Sequence, residues 1–353
     1  MFFRIVAFVV GSIMALVIAE LTLRALHLAP VNGVYTVDAA QYQAIPGIFA
    51  PNQRVMDRRR PGLPHEVTID SLGFRGPPVA RAKPVGETRV LFVGDSFTYG
   101  DFVNDDETLP AQVVSRLQPV CATRLRVINA GLGGSTIEDQ VRLVERALPL
   151  APDLVVLVFS ENDVTDLGRK PLWDRLAENR EAKSRFPLSI LYPVLRRTAL
   201  WNLGLKVSAV RRQRANGEEP RRPVQAHPRP PEKLQDRYRA DLVALRNRLA
   251  ALRIPFLFAV YPSYFSVNGD SAAAVHQRTS AAWAVKTATS EGIPTTDFLP
   301  ALRASGLSNE QLYLLPRDGH PSARGYAIAA DVFADVLLNA EPVRGSCNDG
   351  RVH

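Results

Sequence analysis

The chain has 353 residues, of which 46% are hydrophobic and 22% charged, a composition typical of a globular protein and not of a disordered one. A chain of this length can bury one sizeable α/β core and still carry an insertion. Its net charge of +8 comes largely from arginines in residues 57–60 and 196–229. These arginines could meet anionic lipid or an acidic polymer, or they could form a solvated face.

The N-terminal segment indicates export. Residues 5–19 carry no charge, and apolar residues continue to position 28, so the run lies between a signal-peptide core and a full membrane helix in length. Val17, Ile18 and Ala19 would tolerate signal cleavage, but the apolar pattern continues past Glu20 and Arg24, which can pair at i,i+4. We therefore favour an uncleaved transmembrane anchor over residues 1–28. The rest of the chain is expected outside the cytoplasm, in the periplasm or beyond the cell.

The following elements are predicted in chain order. Residues 29–84 are rich in Pro and Gly and indicate a linker with an irregular N-terminal extension. Strands are predicted at 89–93, 125–128, 154–159, 256–260 and near 295, with helices at 108–117, 137–148, 231–252, 272–290 and 322–338. Residues 166–231 interrupt this alternation and are interpreted as an insertion, partly helical around 188–210. Residues 341–353 are expected to form a tail.

Alternation of short buried strands with helices predicts an α/β fold with a parallel sheet covered on both faces. We expect a flavodoxin-like three-layer α/β/α sandwich within residues 85–340. In such sheets ligands bind beyond the carboxyl ends of the strands. Three polar or glycine-rich segments lie at predicted strand ends and a fourth precedes the last helix; they cover residues 94–97, 129–134, 160–163 and 318–321.

These four segments together meet the needs of acyl transfer. A serine hydroxyl needs a base to take its proton, and that base must be held in the right tautomer. Ser96 can supply the hydroxyl, His320 the base and Asp318 the group that orients it. The backbone N–H groups of Ser96 and Gly134 and the side-chain amide of Asn162 can form an oxyanion hole.

The same residues resemble the motifs of the SGNH or GDSL-type hydrolases. Gly94-Asp95-Ser96-Phe97 is similar to the first block of that family, and residues 129–136 resemble the second, which carries the oxyanion glycine over to Gly134. Asn162-Asp163 resembles the third block, and Asp318-Gly319-His320-Pro321 the last. The resemblance covers residues 89–338 and implies a three-layer sandwich and a seryl-acyl intermediate.

Two positions depart from the common family pattern. Ser160-Glu161 stand where the third block usually begins with Gly, which is expected to change the groove and not the amide donor. Asp318 precedes His320 by two residues instead of three, a spacing similar to that of exported bacterial members, including alginate-acetylation factors. Arg75, in a segment that resembles one found in exported members, could reach a substrate carboxylate or belong to a packed turn.

The resemblance implies an ester substrate, acylated carbohydrate of the envelope or a secreted polysaccharide, and an acyl group such as acetyl. Water or a sugar hydroxyl could accept the acyl group, because both reactions use the same triad. Alternatives are lipid or small-ester hydrolysis, and a glycan-binding envelope protein with a relic site. No cofactor, metal or nucleic acid is expected, the oligomeric state stays open, and the membrane is the expected partner of the N-terminal helix.

Two features are left undecided by the sequence. Cys121 and Cys347 could form a disulfide in an oxidising compartment, but geometry decides that. The insertion could be a glycan-binding lid that uses Trp173, Tyr192 and Trp201, or its apolar stretch with basic flanks could lie on the membrane surface.

Overall fold

The strands and helices are those of a computed structural model that describes residues 1–26, 33–37, 39–60, 62–215 and 230–348. The strands are β1 (Gln53–Asp57), β2 (His65–Ile69), β3 (Glu87–Gly94), β4 (Arg124–Gly131), β5 (Leu154–Phe159), β6 (Phe256–Val260) and β7 (Thr295–Asp297). The first helices are α1 (Phe2–Ala25), α2 (Ala39–Ala44), α3 (Ser96–Tyr99), α4 (Leu109–Leu117), α5 (Ile137–Ala147), α6 (Asp163–Asp166), α7 (Leu172–Ser184) and α8 (Leu188–Leu195). The others are α9 (Ala199–Ala215), α10 (Glu232–Ala251), α11 (Tyr264–Val267), α12 (Ala272–Ser290), α13 (Leu299–Ala304), α14 (Asn309–Leu312), α15 (Ala323–Leu338) and α16 (Val343–Asn348).

The five strands β3 to β7 form a parallel sheet in the order β4-β3-β5-β6-β7. The chain therefore steps outward from β3 first to one side, then to the other, which is the flavodoxin-like order. The predicted fold class is confirmed, because the strands are parallel and helices connect them. The central strand β5 is apolar throughout and fully buried.

The sheet has a hydrophobic core on each face, because side chains alternate along a strand. Leu91 and Val93 of β3 pack in one core with residues of α5 and α10. Val90 and Phe92 pack in the other core with residues of α4 and α15. All of β3 is buried, and each large apolar side chain removed from water in this way stabilises the fold by about 1.5–3 kcal/mol.

The N-terminal extension is more ordered than its composition indicated. β1 and β2 pair antiparallel from Gln53 and Ile69 to Asp57 and His65. Arg75 follows this hairpin and makes isolated backbone bridges to Ile69 and to β4. The extension is therefore tied to β4 of the main sheet by the backbone hydrogen bond from Arg75 to Asn129.

A disulfide joins Cys121 to Cys347, which is the pairing that the sequence left undecided. Cys347 lies on α16, in the segment predicted to be a tail, and both it and Val343 are buried against the core. The disulfide closes a loop of 226 residues, so it restricts the unfolded chain strongly.

The chain divides into two compact units, and the insertion contributes to both. One unit contains residues 34–178 and 223–353, with the parallel sheet; the other contains residues 1–33 and 179–222. In the second unit α1 is 24 residues long with a mean hydropathy of 2.5, long and apolar enough to cross a membrane or to act as a signal. The helical stretch predicted around 188–210 consists of α8 and α9. Residues 216–229 of the insertion and residues 27 and 28 of the predicted anchor lie outside the described residues.

Candidate active site

The strand order brings the three strand-end segments together. β3 lies between β4 and β5, so the segments that follow these three strands meet at one edge of the sheet. This edge is also the point where the strand order reverses, which is where ligands bind in open parallel sheets. Ser96 therefore lies between the Gly133-Gly134 turn after β4 and Asn162 after β5.

Ser96 is the first residue of the four-residue helix α3 that follows β3. Asp95 caps this helix by accepting a hydrogen bond from the backbone N–H of Phe97 at 2.8 Å. The glycine before it is required by close packing, since a Cβ on Gly94 would lie 2.1 Å from Oγ1 of Thr98. This turn leaves Ser96 half-buried while Asp95 is fully buried. The backbone N–H of Ser96, at the helix start, has no partner within the helix.

The side chains of Ser96, His320 and Asp318 form one hydrogen-bonded chain. His320 Nε2 lies 2.8 Å from Oγ of Ser96, and its Nδ1 contacts Oδ1 of Asp318. The same Asp318 oxygen accepts the backbone N–H of His320 at 3.1 Å, so the two-residue spacing suits a tight turn. Oδ2 of Asp318 pairs with Nη2 of Arg60 at 2.8 Å. Asp318 can therefore fix the ring so that Nε2 accepts a proton from Ser96.

Electrostatic interactions favour the charged forms of this pair. Burial lowers the pKa of His320, but its hydrogen bond to Asp318 and the charges of Asp101, Asp318 and Asp95 outweigh that effect and raise the pKa. Burial raises the pKa of Asp318, but its bonds to His320 and the nearby Arg60 outweigh burial and lower the pKa. The imidazolium that forms when Ser96 loses its proton would thus be stabilised.

Several residues around the imidazole of His320 were not predicted from the sequence. Phe97 and Phe102 place their rings 5.3 and 5.4 Å from the ring of His320. Asp101 places Oδ2 4.0 Å from Nε2 of His320 and its other oxygen 3.8 Å from Arg59. Phe97 belongs to the first motif block and follows Ser96 directly, so its position near the site could have been predicted from the sequence. Asp101 and Arg59 become neighbours of the site only through the packing of loops.

The glycine turn after β4 lies beside the serine. A Cβ on Gly133 would be 3.7 Å from Cβ of Ser96 and 3.4 Å from Oδ2 of Asp101. Gly134 is exposed with a φ of 73°, a left-handed conformation that favours glycine. Gly131 lets β4 approach α3, since a Cβ there would lie 2.1 Å from the backbone nitrogen of Tyr99.

Asn162 is held by a buried polar network. Its Oδ1 lies 2.6 Å from Oγ of Ser160, and that hydroxyl lies 2.7 Å from Oδ2 of Asp95. Nδ2 of Asn162 donates to Asp166 at 3.3 Å. The amide of Asn162 also stabilises the charged form of Asp95, whose pKa it lowers. Ser160, at the position where the family usually has Gly, thus positions the amide.

Two carboxyl groups beneath this network have raised pKa values. Burial raises the pKa of Asp95, although bonds from Ser160 and from the Phe97 N–H oppose it. Burial, together with the charge of Asp95, raises the pKa of Asp163 further. The hydroxyl of Ser160 lies within hydrogen-bond distance of Oδ2 of Asp95, Oδ1 of Asn162 and, at 3.4 Å, Oδ1 of Asp163. The amide oxygen of Asn162 is therefore turned towards this buried cluster.

The packing decides between the alternatives that the sequence left open for Arg75 and Trp173. The guanidinium of Arg75 is buried and donates to backbone carbonyls, including those of Tyr99, Gly100 and Val103, so it cannot reach a substrate carboxylate. Trp173 is buried in the core of the sheet unit, so it offers no platform for a sugar. Glu161 is buried and accepts a hydrogen bond from Ser266, and the expected change of the groove at Ser160 and Glu161 stays a prediction.

Comparisons with known proteins agree with the motif blocks. A model of the GDSL-like lipase/acylhydrolase family matches residues 92–328. Among solved structures, the acetyl xylan esterase AlAXEase is 17% identical with a TM-score of 0.44, covering 70% of this chain and 99% of its own. An acetylxylan esterase from Geobacillus stearothermophilus is 19% identical with a TM-score of 0.42, covering 70% and 93%. A protein from Desulfitobacterium hafniense described as lipolytic and of the G-D-S-L family is 17% identical with a TM-score of 0.43, covering 71% and 99%. No curated protein sequence matches this chain.

Proposed function

Because this chain belongs to the GDSL-like lipase/acylhydrolase family and is therefore an ester hydrolase, we propose that Ser96 is its nucleophile and His320 its general base. The observation that carries the proposal is the single imidazole that contacts Ser96 through Nε2 and Asp318 through Nδ1. A His side chain in contact with both groups can take a proton and keep its tautomer.

The reaction proceeds in two acyl-transfer steps. Oγ of Ser96 forms a bond to the ester carbonyl carbon as its proton passes to Nε2 of His320. The negative charge that develops on the carbonyl oxygen is stabilised by the N–H groups of Ser96 and Gly134 and by the amide of Asn162. The tetrahedral intermediate then expels the alcohol, which takes the proton from His320. An acceptor hydroxyl repeats these steps in reverse and releases the acyl group.

The proposed substrate is an acylated carbohydrate, with acetyl as the proposed acyl group. We propose that α1 anchors the chain in a membrane with the sheet unit outside the cytoplasm, where envelope or secreted polysaccharides carry such esters. The Cys121–Cys347 disulfide supports this location, because disulfides persist in oxidising compartments. Water is the proposed acceptor; a sugar hydroxyl would make the same machinery an acyltransferase.

Covalent labelling tests the nucleophile. A fluorophosphonate probe should label the wild-type chain, and Ser96→Ala and His320→Ala should lose labelling and nearly all turnover of p-nitrophenyl acetate, since triad members act as a unit. Ser115→Ala is the matched control, because Ser115 is exposed on α4. Labelling of Ser96→Ala at the wild-type rate, in a protein that melts cooperatively, would contradict the assignment. An unlabelled, inactive wild type would favour a relic binding site.

Product analysis tests the substrate and the acceptor. Incubation with acetylated polysaccharide should release free acetate if water is the acceptor. Transfer of the acetyl group to an added oligosaccharide, without free acetate, would show an acyltransferase. Turnover of phospholipid esters alone would contradict a carbohydrate substrate. Reaction of both cysteines with an alkylating reagent in intact cells would contradict an oxidising location, because the disulfide would then be absent.

A further inference from the structure

The helix α1 forms one compact unit with the second half of the insertion, residues 179–222. The contact is made by Glu20 and Arg24, the two charged residues in the second half of α1. The carboxylate of Glu20 accepts the backbone N–H groups of Ala199 at 2.9 Å and Leu200 at 3.0 Å. These are the first amides of α9, which lack partners within their own helix, so a carboxylate stabilises them.

Arg24 completes the same contact. Its Nη2 donates to the carbonyl of Arg197 at 2.8 Å, and its Nε pairs with Glu20 at 2.6 Å. The side chain of Glu20 is only 17% exposed. Both charged side chains in the second half of α1 therefore bind the turn between α8 and α9.

The position of this contact along α1 is informative. A helix of 24 residues is about 36 Å long, and the apolar core of a bilayer is about 30 Å thick. Glu20 and Arg24 lie in its last two turns, so the start of α9 is attached where α1 leaves the apolar core. In the described part of α1 no residue is buried, which leaves its apolar side chains free to meet lipid.

An apolar groove continues from α1 onto the insertion. Its volume is about 620 Å³, and its lining includes Ile13, Leu16, Val17 and Leu21 of α1 with Leu200 and Trp201 of α9. Ile13, Leu16 and Val17 belong to the stretch that would lie in the membrane, while Glu20 and Arg24 line the end of the groove where α1 leaves the membrane. A groove at that depth would be filled by the acyl chain of a lipid.

The surface of α8 is also apolar and flanked by basic residues. Phe186, Ile190, Leu191 and Val194 are 81%, 68%, 48% and 67% exposed. Between residues 179 and 215 the sequence holds one acidic residue, Glu181, against nine basic ones: Arg180, Lys183, Arg185, Arg196, Arg197, Lys206, Arg211, Arg212 and Arg214. Apolar side chains with basic flanks are typical of helices that lie in the interface of anionic membranes.

We propose that α8 and the start of α9 lie in the membrane interface beside α1, with their apolar side chains among lipid acyl chains and their basic side chains at anionic headgroups. The insertion is then a second membrane element and not a glycan lid. Its aromatic side chains agree with this, since Trp201 lines the apolar groove with its indole nitrogen buried. Tyr192 packs against Trp201 and Lys183, so neither ring forms an open platform. The proposal rests on the membrane attachment of α1 proposed above.

Site-directed fluorescence tests the proposal in the full chain. Single cysteines replace Val194 on α8, Val10 on α1 or Val275 on α12, three exposed valines, and each carries an environment-sensitive probe. The native cysteines are joined in the disulfide and do not react. Each variant is reconstituted in phosphatidylcholine–phosphatidylglycerol vesicles, with or without doxyl-labelled phosphatidylcholine as a quencher.

The expected result is a blue shift and loss of most emission with quencher for Val194→Cys and Val10→Cys, and neither change for Val275→Cys. Quenching at position 10 with water-like emission at position 194 would overturn the interfacial proposal alone. Water-like emission at both positions would overturn the membrane attachment as well, and fluorophosphonate labelling of Ser96 would show whether the catalytic assignment still holds. A shift at position 194 that needs acetylated polysaccharide and not lipid would assign the surface to glycan and overturn the proposal.

Discussion

Asp101 offers a test of the electrostatics around His320. Its Oδ2 lies 4.0 Å from Nε2, and the two side chains are 19% and 22% exposed. Two unit charges at that distance interact by about 1 kcal/mol in water and about 4 kcal/mol at the effective dielectric constant near a protein surface. We take about 1 kcal/mol as the smallest expected interaction energy between Asp101 and the imidazolium of His320, because both side chains are partly exposed to solvent. This energy changes a protonation equilibrium about fivefold.

The substitution Asp101→Asn removes this charge and keeps the side-chain shape. General base catalysis needs the neutral imidazole, so activity is lost as the pH falls through the raised pKa of His320. Without the charge of Asp101 the pKa of His320 falls, and the acid limb moves to lower pH. At one pH on that limb the neutral fraction of His320 should rise at least about fivefold. The value of kcat/KM on the high-pH plateau should fall, because the imidazolium of His320 in the transition state is no longer stabilised by the charge of Asp101.

The assay is the pH profile of kcat/KM for p-nitrophenyl acetate, which reports groups of the free enzyme. Asp106→Asn is the matched control, since it removes the same charge from an exposed residue of the neighbouring 3-10 turn. An acid limb that stays in place or moves to higher pH in Asp101→Asn would refute the reasoning. Equal movement in Asp106→Asn would show an effect of net charge and not of the 4.0 Å contact.

Three further predictions concern the oxyanion hole and the disulfide. Asn162→Ala should lower kcat on an activated ester about a hundredfold with little change in KM; an unchanged kcat would remove Asn162 from the site. Ser160→Ala should lower kcat by less than Asn162→Ala, because it removes the contact that holds the amide of Asn162 but leaves the amide in place. A change in KM with kcat unchanged would indicate instead that Ser160 acts in substrate binding. Cys347→Ser should lower the free energy of unfolding in urea by about 2–5 kcal/mol, and Cys121→Ser by the same amount. A loss of stability in only one of the two variants would contradict a shared disulfide.

Much of the fold could be predicted from the sequence because its signals are local. The apolar runs of β5 and β6 have the bounds that were predicted, since a strand buried on both faces needs consecutive apolar residues. Ser96 could be placed by its strand-to-helix turn, and His320 with Asp318 by a motif of four residues. The family relation is carried by these same short segments, which explains why it was visible without a structure.

The strand order and the distant contacts were decided by tertiary structure alone. Arg60 reaches Asp318 across 258 positions of the sequence, and no local pattern marks that pair. Trp173 was a candidate for stacking on a sugar because it lies in the insertion, yet it is buried in the core of the sheet unit. Arg75 was ambiguous from the sequence, since the backbone carbonyls that accept from its guanidinium lie up to 28 residues away.

The sequence by itself determined the apolar helix α1, the alternating elements and the residues with reactive groups, because each depends on side-chain type and spacing within one segment. Only the tertiary structure decided what those residues touch. These contacts include the disulfide between Cys121 and Cys347 and the approach of Asp101 to His320. They also include the hydrogen bond from the start of α9 to Glu20. Contacts of this kind form between parts of the chain that are distant in sequence. They depend on how the helices and strands pack, and that packing is stabilised by interactions throughout the core.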